Sequence, residues 1–235
     1  MIATGRAFRA IGGVLAASVL LSGCVSTVAG SAVRDQNAVP VDVPPLDESA
    51  LDGALLSIGV VNGIMGSTQM KVSGELDDMT DYSEQVSDPD CLATIFGAQE
   101  PVYADSGWTA MRDQVAREPE DDNDHWVEQT AVLYPSAEDA RGLFDKVKSI
   151  WEKCSGSSIS VDTESSSSLW EIEDVTAEDS VITQMTKQED ADGWECQHAL
   201  AVASNLTAET WACGYIIIDE AAAIAVDMVT KAAKK

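Results

Sequence analysis

The chain has 235 residues, and its 14 Lys and Arg stand against 40 Asp and Glu for a formal net charge of −26. Such a surface is repelled by phosphate and has no basic stripe from which counterion release could drive association, so nucleic-acid binding is excluded. An apolar fraction of 45% with six Trp excludes disorder over most of the chain, and the length predicts one globular domain with an appendage.

The first 23 residues carry Arg6 and Arg9, no acid, and an apolar run from Ala10 that closes on Leu21-Ser22-Gly23-Cys24. The run has about 12 residues where a permanent transmembrane helix needs ~20, which predicts a cleaved signal. The small residues before Cys24 form a lipobox, so residues 1–23 are expected to be removed and the Cys24 thiol to be lipidated. More than one acyl chain, at ~0.8 kcal/mol per CH₂, gives stable anchoring, placing the protein on the outer face of the cell membrane. Residues 24–45 are small and polar with Pro40, Pro44 and Pro45. They read as a tether of roughly 25 Å r.m.s., leaving 46–235 as the folded domain.

Leu46 to Val60 reads as a first helix, with Leu51, Leu55, Leu56 and Ile58 at helical spacing. Trp108–Val115 and Trp126–Tyr134 read as strands around the acidic loop Glu118 to Asp124. Ser136-Ala137-Glu138-Asp139 is a capping box opening a helix with the stripe Ala140, Leu143, Val147, Ile150, Trp151 and Cys154, ended by Gly156. Ile159–Thr163, Leu169–Val175 and Val181–Lys187 are short strands. Trp194–Ala203 and Leu206–Ile218 form a hairpin about Ser204-Asn205, and a last helix starts near Asp219. Strands dominate and helices are too few for a doubly wound sheet, so the expected fold is α+β with a mainly antiparallel sheet and a few packed helices.

Export puts Cys91, Cys154, Cys196 and Cys213 in an oxidising compartment, and no CxxC supports zinc or thioredoxin-like chemistry. A two-residue turn at Ser204-Asn205 pairs Ala203 with Leu206 and, stepping outward, His198 with Trp211 and Cys196 with Cys213. Cys196–Cys213 is therefore expected as one disulfide, and Cys91–Cys154 follows by elimination, so the helix ending at Cys154 is expected to bury its stripe towards Cys91.

These segments resemble the PknH-like extracellular sensor domain, a domain of mycobacterial serine/threonine kinases that also occurs in many lipobox-bearing lipoproteins. The resemblance rests on Pro89-x-Cys91, Gly107-Trp108-Thr109-Ala110, His125-x-Val127-x-Gln129, Tyr134-Pro135-Ser136-Ala137, Ala140 with Trp151-x-x-Cys154, and Trp170. It continues through Gly193-Trp194-x-Cys196 with Ala199-Leu200, Asn205, and Ala212-Cys213-Gly214, and more weakly reaches back to Leu55-Leu56 and Met65-Gly66. It implies an α+β domain with two disulfides and a cleft for an unidentified extracellular ligand. The family often has a basic residue where this chain has His198, so an anionic ligand using that position would find a weaker partner here.

No nucleophile elbow, phosphate loop, HExxH or dinucleotide fingerprint occurs, so no catalytic residue, cofactor or metal is expected and the protein is read as a non-enzyme. Asp124 adjoins His125, but neighbours on a strand point to opposite faces, so Asp124 is poorly placed to orient that imidazole. The Glu118 to Asp124 loop fails the EF-hand pattern, with Val132 where the bidentate Glu belongs, and reads as a solvated turn with weak calcium binding as the lesser alternative. Asn205-Leu206-Thr207 is formally a glycosylation sequon but reads as a turn. Trp151 is expected in the core; the other five Trp lie on strands, free to pack inward or to line a binding surface. Trp211 and His198 are the expected ligand contacts, against the plainer reading that both cover the Cys196–Cys213 bridge. The expected partners are the membrane through the lipid and a small-molecule, glycan or lipid ligand, with a protein-interaction role as the alternative.

Overall fold

The computed structural model describes residues 43–119 and 123–234. Cys24, the leader, most of the tether and the centre of the acidic loop lie outside the described residues. One eight-stranded sheet, antiparallel throughout, is built from β1 (Lys71–Leu76), β2 (Ala110–Arg117), β3 (His125–Leu133), β4 (Ser158–Asp162), β5 (Ser167–Ala177), β6 (Val181–Gln188), β7 (Glu195–Ala203) and β8 (Leu206–Gly214). Their order across the sheet is β1-β2-β3-β8-β7-β6-β5-β4. Two meanders, β1–β3 and β4–β8, thus meet along the β3–β8 pair. The helices are α1 (Ile58–Met65), α2 (Glu100–Tyr103), α3 (Ala137–Cys154) and α4 (Glu220–Ala232), with 3-10 turns at Glu48–Gly53, Ser83–Gln85 and Pro89–Thr94.

Each face of the sheet is covered by a different helix. On one, Val127 together with Ala116, Ala131, Ala199, Ala208 and Ala212 forms a floor of mostly small side chains that joins the core under α4. Small residues let the helix backbone approach closely. α4 in turn buries Ala221, Ile224, Ala225, Met228, Val229 and Ala232. Two sheet side chains anchor its first turn: Gln197 Oε1 accepts from the Ala222 amide at 3.1 Å, and Thr210 Oγ1 donates to the Ala221 carbonyl at 2.7 Å. The Ala222 amide is one of the donors that a helix N-terminus leaves unpaired.

α3 crosses the opposite face. Ser136 Oγ accepts from the Asp139 amide at 3.2 Å, the N-cap bond of the expected box, while Asp139 Oδ2 is met at 2.6 Å by the Ser136 hydroxyl, where the box would use the Ser136 amide. The helix buries Ala140, Leu143, Phe144, Val147, Trp151 and Cys154. Trp151 is core, as expected, and its Nε1–H donates to the Ala93 carbonyl at 2.8 Å. Cys154 is joined to Cys91 on the Pro89–Thr94 turn, across 63 residues of sequence, and Cys196 to Cys213 across the β7–β8 hairpin. The hairpin register pairs Ala203 with Leu206, His198 with Trp211 and Cys196 with Cys213, with Ser204 at φ +52 carrying the reversal.

The first helix does not run from Leu46 to Val60. A 3-10 turn at Glu48–Gly53 and α1 flank an interruption at Leu56, whose amide donates to Gln129 Oε1 at 2.8 Å from the middle of β3. A buried amide on the sheet thus claims the backbone group a continuing helix would have used. Asn205 acts in the same way at Leu46: Oδ1 accepts from its amide at 2.7 Å, while Nδ2 donates to the carbonyls of Leu46 and Tyr134 at 3.0 and 2.8 Å. Asn205 thus sits in the expected turn and is at the same time a buried staple. β8 stops at Gly214 instead of continuing to Ile218, and there Tyr215, Ile216 and Ile218 turn outward and are exposed.

Candidate functional site

Strand alternation and register place three rows of side chains on the α3 side of the central strands. The first row is Asp113, Thr130, Glu209, Leu200 and Ile182; the second is Val115, Glu128, Trp211, His198 and Gln184; the third is Trp126, Cys213, Cys196 and Thr186. α3 covers the β6–β7 part of these rows. Beyond it lies a cleft of about 790 Å³ over β2, β3 and β8 that continues along the third row to Thr186 on β6 and past it to Trp170 on β5 and Val161 on β4, with Tyr82 and residues 95–99 along its other side. Trp126, Trp170 and Trp194 gather around the Cys196–Cys213 bridge with Trp211, and the Trp194 and Tyr215 rings meet edge to face at 5.4 Å.

Trp211 is 4% exposed and lines the cleft; His198 is 0% exposed and does not. The imidazole lies behind the indole, stacked on it at 4.1 Å between centroids, with Trp151 on the other side at 4.3 Å. The two residues read as joint contacts thus divide into one that faces the cleft and one that supports it. His198 Nε2 lies 2.9 Å from Glu209 Oε1, and Nδ1 is buried without a partner among the described residues. Burial pushes the His198 pKa down, although Glu209 opposes it, so the ring is neutral with its proton on Nε2. Burial alone would raise the Glu209 pKa. Bonds from His198, from the Tyr103 hydroxyl at 2.6 Å and from the Ala98 amide at 3.1 Å outweigh it and hold the carboxyl below its ordinary value. The Ala98 bond helps fix that residue at φ +51, a cost accepted in the lip of the cleft. A neutral, buried His198 with an acid for a partner offers nothing to an anionic ligand.

Asp113 and Glu128, which sequence reasoning did not single out, both line the cleft. Asp113 is 2% exposed; Oδ2 accepts from Thr130 Oγ1 at 2.6 Å, while Oδ1 is buried and meets no N–H or alcohol donor. Burial raises the pKa of both carboxyls, and the charges of Asp113 and Glu209 push that of Glu128 further, well above its ordinary value. The pair therefore retains a proton that belongs to the two carboxyls together, the stronger shift being that of the Glu128 carboxyl. Gly97 makes room for it: a Cβ there would stand 3.3 Å from Glu128 Oε2 and 3.4 Å from Trp211 Cδ1. Thr186 Oγ1 and Trp211 Nε1, also on lining residues, are buried without partners among the described residues. The available signal was the repetition of Asp113, Glu128 and Glu209 on one face of β2, β3 and β8, which lie side by side in the sheet.

His125 is oriented by Glu118 and not by Asp124, with Nδ1 2.7 Å from Oε1 and the His125 amide donating to Oε2 at 2.7 Å. Ser67 Oγ donates to the same Glu118 at 2.6 Å, so the imidazole does not activate that hydroxyl. Glu118 thus serves the root of the acidic loop; residues 120–122 of that loop, and with them the calcium alternative, lie outside the described residues. Among the described residues, no group of three His, Cys, Asp or Glu is arranged to hold a metal.

The family described as the PknH-like extracellular domain matches residues 46–231. Serine/threonine-protein kinase PknH of Mycobacterium bovis is 36% identical over 197 residues, covering 83% of this chain and 33% of the kinase. The kinase of the same name from Mycobacterium tuberculosis is 36% identical over 197 residues, with 83% and 32% covered. The chain thus spans about a third of the length of these curated relatives. The crystal structure of the extracellular domain of PknH from Mycobacterium tuberculosis superposes with a TM-score of 0.77 at 35% identity, over 82% of this chain and 99% of that one.

Proposed function

Because the chain belongs to the PknH-like extracellular domain family, a sensor-type domain, we propose that it is a cell-surface lipoprotein that binds an envelope or extracellular ligand in the cleft over β2, β3 and β8. The observation that carries this reading is the cleft itself: about 790 Å³, walled by aromatic rings, with buried polar atoms of Asp113, Thr186 and Trp211 to which the described residues offer no partner beyond the acid pair's own proton. Buried polar groups are normally paired, so three such atoms around one apolar cavity suit the polar groups of a ligand. Trp211 is the contact; His198, fixed by Glu209 and by two rings, positions it. The kinase homology lies in an extracellular domain and supports binding without turnover. The proposed attachment is the lipid on Cys24, which the lipobox Leu21-Ser22-Gly23-Cys24 supports.

Native mass spectrometry of the purified protein, paired with tryptophan fluorescence, tests the binding. A co-purifying molecule should shift the indole emission, and Trp211→Ala should weaken its binding by about tenfold or more, the scale of a buried aromatic contact, while both disulfides remain. Turnover of an envelope substrate by the wild-type protein would overturn the reading. For the anchor, labelled fatty acid should enter the wild-type chain and not Cys24→Ala, which should leave the membrane fraction.

One further observation favours a protein partner as the second reading. Ile216 and Ile218 are 80% and 75% exposed beside the cleft residue Tyr215, an apolar edge that a partner surface would cover.

A further inference from the structure

We propose that the ligand of this cleft is an organic cation, an ammonium or amidinium group on an apolar body, with its charge seated between Asp113 and Glu128 against Trp211. The proposal rests on the reading of the cleft as a ligand site and adds the chemical class. No Lys, Arg or His is found among the described residues that line the cleft, whereas Asp113, Glu128 and Asp192 all do. A buried carboxylate without a counter-charge is costly, and its usual remedies are a paired cation or a retained proton. No N–H or alcohol hydroxyl of the described residues reaches Asp113 Oδ1, so in the free protein the proton shared with Glu128 is the remedy. A ligand cation takes the place of that proton and restores both charges.

The surroundings suit the same occupant. The faces of indole rings attract cations, most strongly where water is excluded, and Trp211, Trp126, Trp170 and Trp194 supply four such rings around one bridge. Gly97 leaves open the position beside the Glu128 carboxyl that a side chain would fill. The groups that face the acid pair are Thr130 on β3, Glu209 on β8 with its partners His198 on β7 and Tyr103 on α2, and Trp211; none of them carries positive charge.

Benzyltrimethylammonium, benzyl alcohol, benzoate and methyl glucoside, added to the full chain, separate the possibilities. Titrations are read by tryptophan fluorescence and by calorimetry in two buffers of different ionisation enthalpy, in about 0.5 M NaCl so that the acidic surface is screened. The cation should bind about tenfold or more tighter than benzyl alcohol, and its binding should release protons to the buffer. Glu128→Gln should abolish the proton release and reduce the preference to about threefold or less, because one charge of the pair is gone. Should that variant fail to fold, Gly97→Ala serves instead, and crowding the seat should weaken the cation about fivefold or more with benzyl alcohol little changed. Tighter or equal binding of benzyl alcohol, benzoate or the glucoside overturns the cation and leaves the cleft as a ligand site. If none of the four perturbs the tryptophans at its solubility limit, the cleft reading falls with it.

Discussion

Glu128 and His198 lie in one row of the sheet, with Trp211 between them, and titrate in opposite senses. Glu128 has its pKa raised in the fold, by burial first and then by Asp113 and Glu209. Its neutral form is therefore favoured: the stability it supports is fully present below its unfolded value, near 4.5, and is lost as pH rises through the higher folded value. Glutamine mimics that neutral form. Glu128→Gln should stabilise the protein by about 1 kcal/mol above neutral pH, about 2–4 °C in Tm, and the gain should vanish near pH 4. Thermal unfolding across pH checks this, and a variant no more stable than wild type at pH 8 would refute the assignment. His198 has its pKa lowered by burial, so its contribution is present above the unfolded value, near 6.5, and fades as pH falls below it. Removing Glu128 should leave that fading uncompensated, and the variant's stability should fall more steeply than that of wild type between about pH 7 and pH 5.

The elements show which signals a chain writes locally. β7, β8 and α3 were legible because their patterns are short-range: an alternation about Ser204-Asn205 and a capped stripe from Ser136 to Cys154. The first helix was misread although its apolar spacing is real, since the interruption comes from Gln129, 73 residues away. β1 left no trace in the sequence because all six of its residues are exposed, at the edge of the sheet, with no buried face to impose an alternation. The aromatic half of the site could be placed on strands from the sequence. Its acids could not, because polar positions on a strand ordinarily face water, and only the layer formed by α3 and residues 95–99 buries Asp113 and half-buries Glu128. Asn205→Ala tests the long-range part of this account. Losing bonds to both Leu46 and Tyr134 should cost about 2 kcal/mol, the cost of leaving buried backbone groups unpaired. Hydrogen exchange should quicken selectively in residues 46–51, and uniform quickening of the whole sheet would contradict a staple.

At the scale of the molecule, the Cys91–Cys154 bridge fastens the Pro89–Thr94 turn, next to the lip of the cleft, to α3. Its loop predicts a contribution of ~4 kcal/mol on the chain-entropy account, against ~3 kcal/mol for Cys196–Cys213. Urea denaturation of the Cys91→Ala, Cys154→Ala double variant should show the larger loss. The two bridges also differ in when they can form. β7 and β8 are neighbours in the chain, so their pairing needs only a short loop closed. β3 and β8 meet across the α3 helix and the whole second meander, and α3 meets the Pro89–Thr94 turn over a comparable stretch. Local pairings precede distant ones because the entropy of loop closure is spent before distant contacts return it. The order of the strands therefore acts as a timetable: during oxidative refolding Cys196–Cys213 should accumulate first and Cys91–Cys154, which closes the longer loop, later, while the cleft, which takes its walls from both meanders, is complete only once they dock.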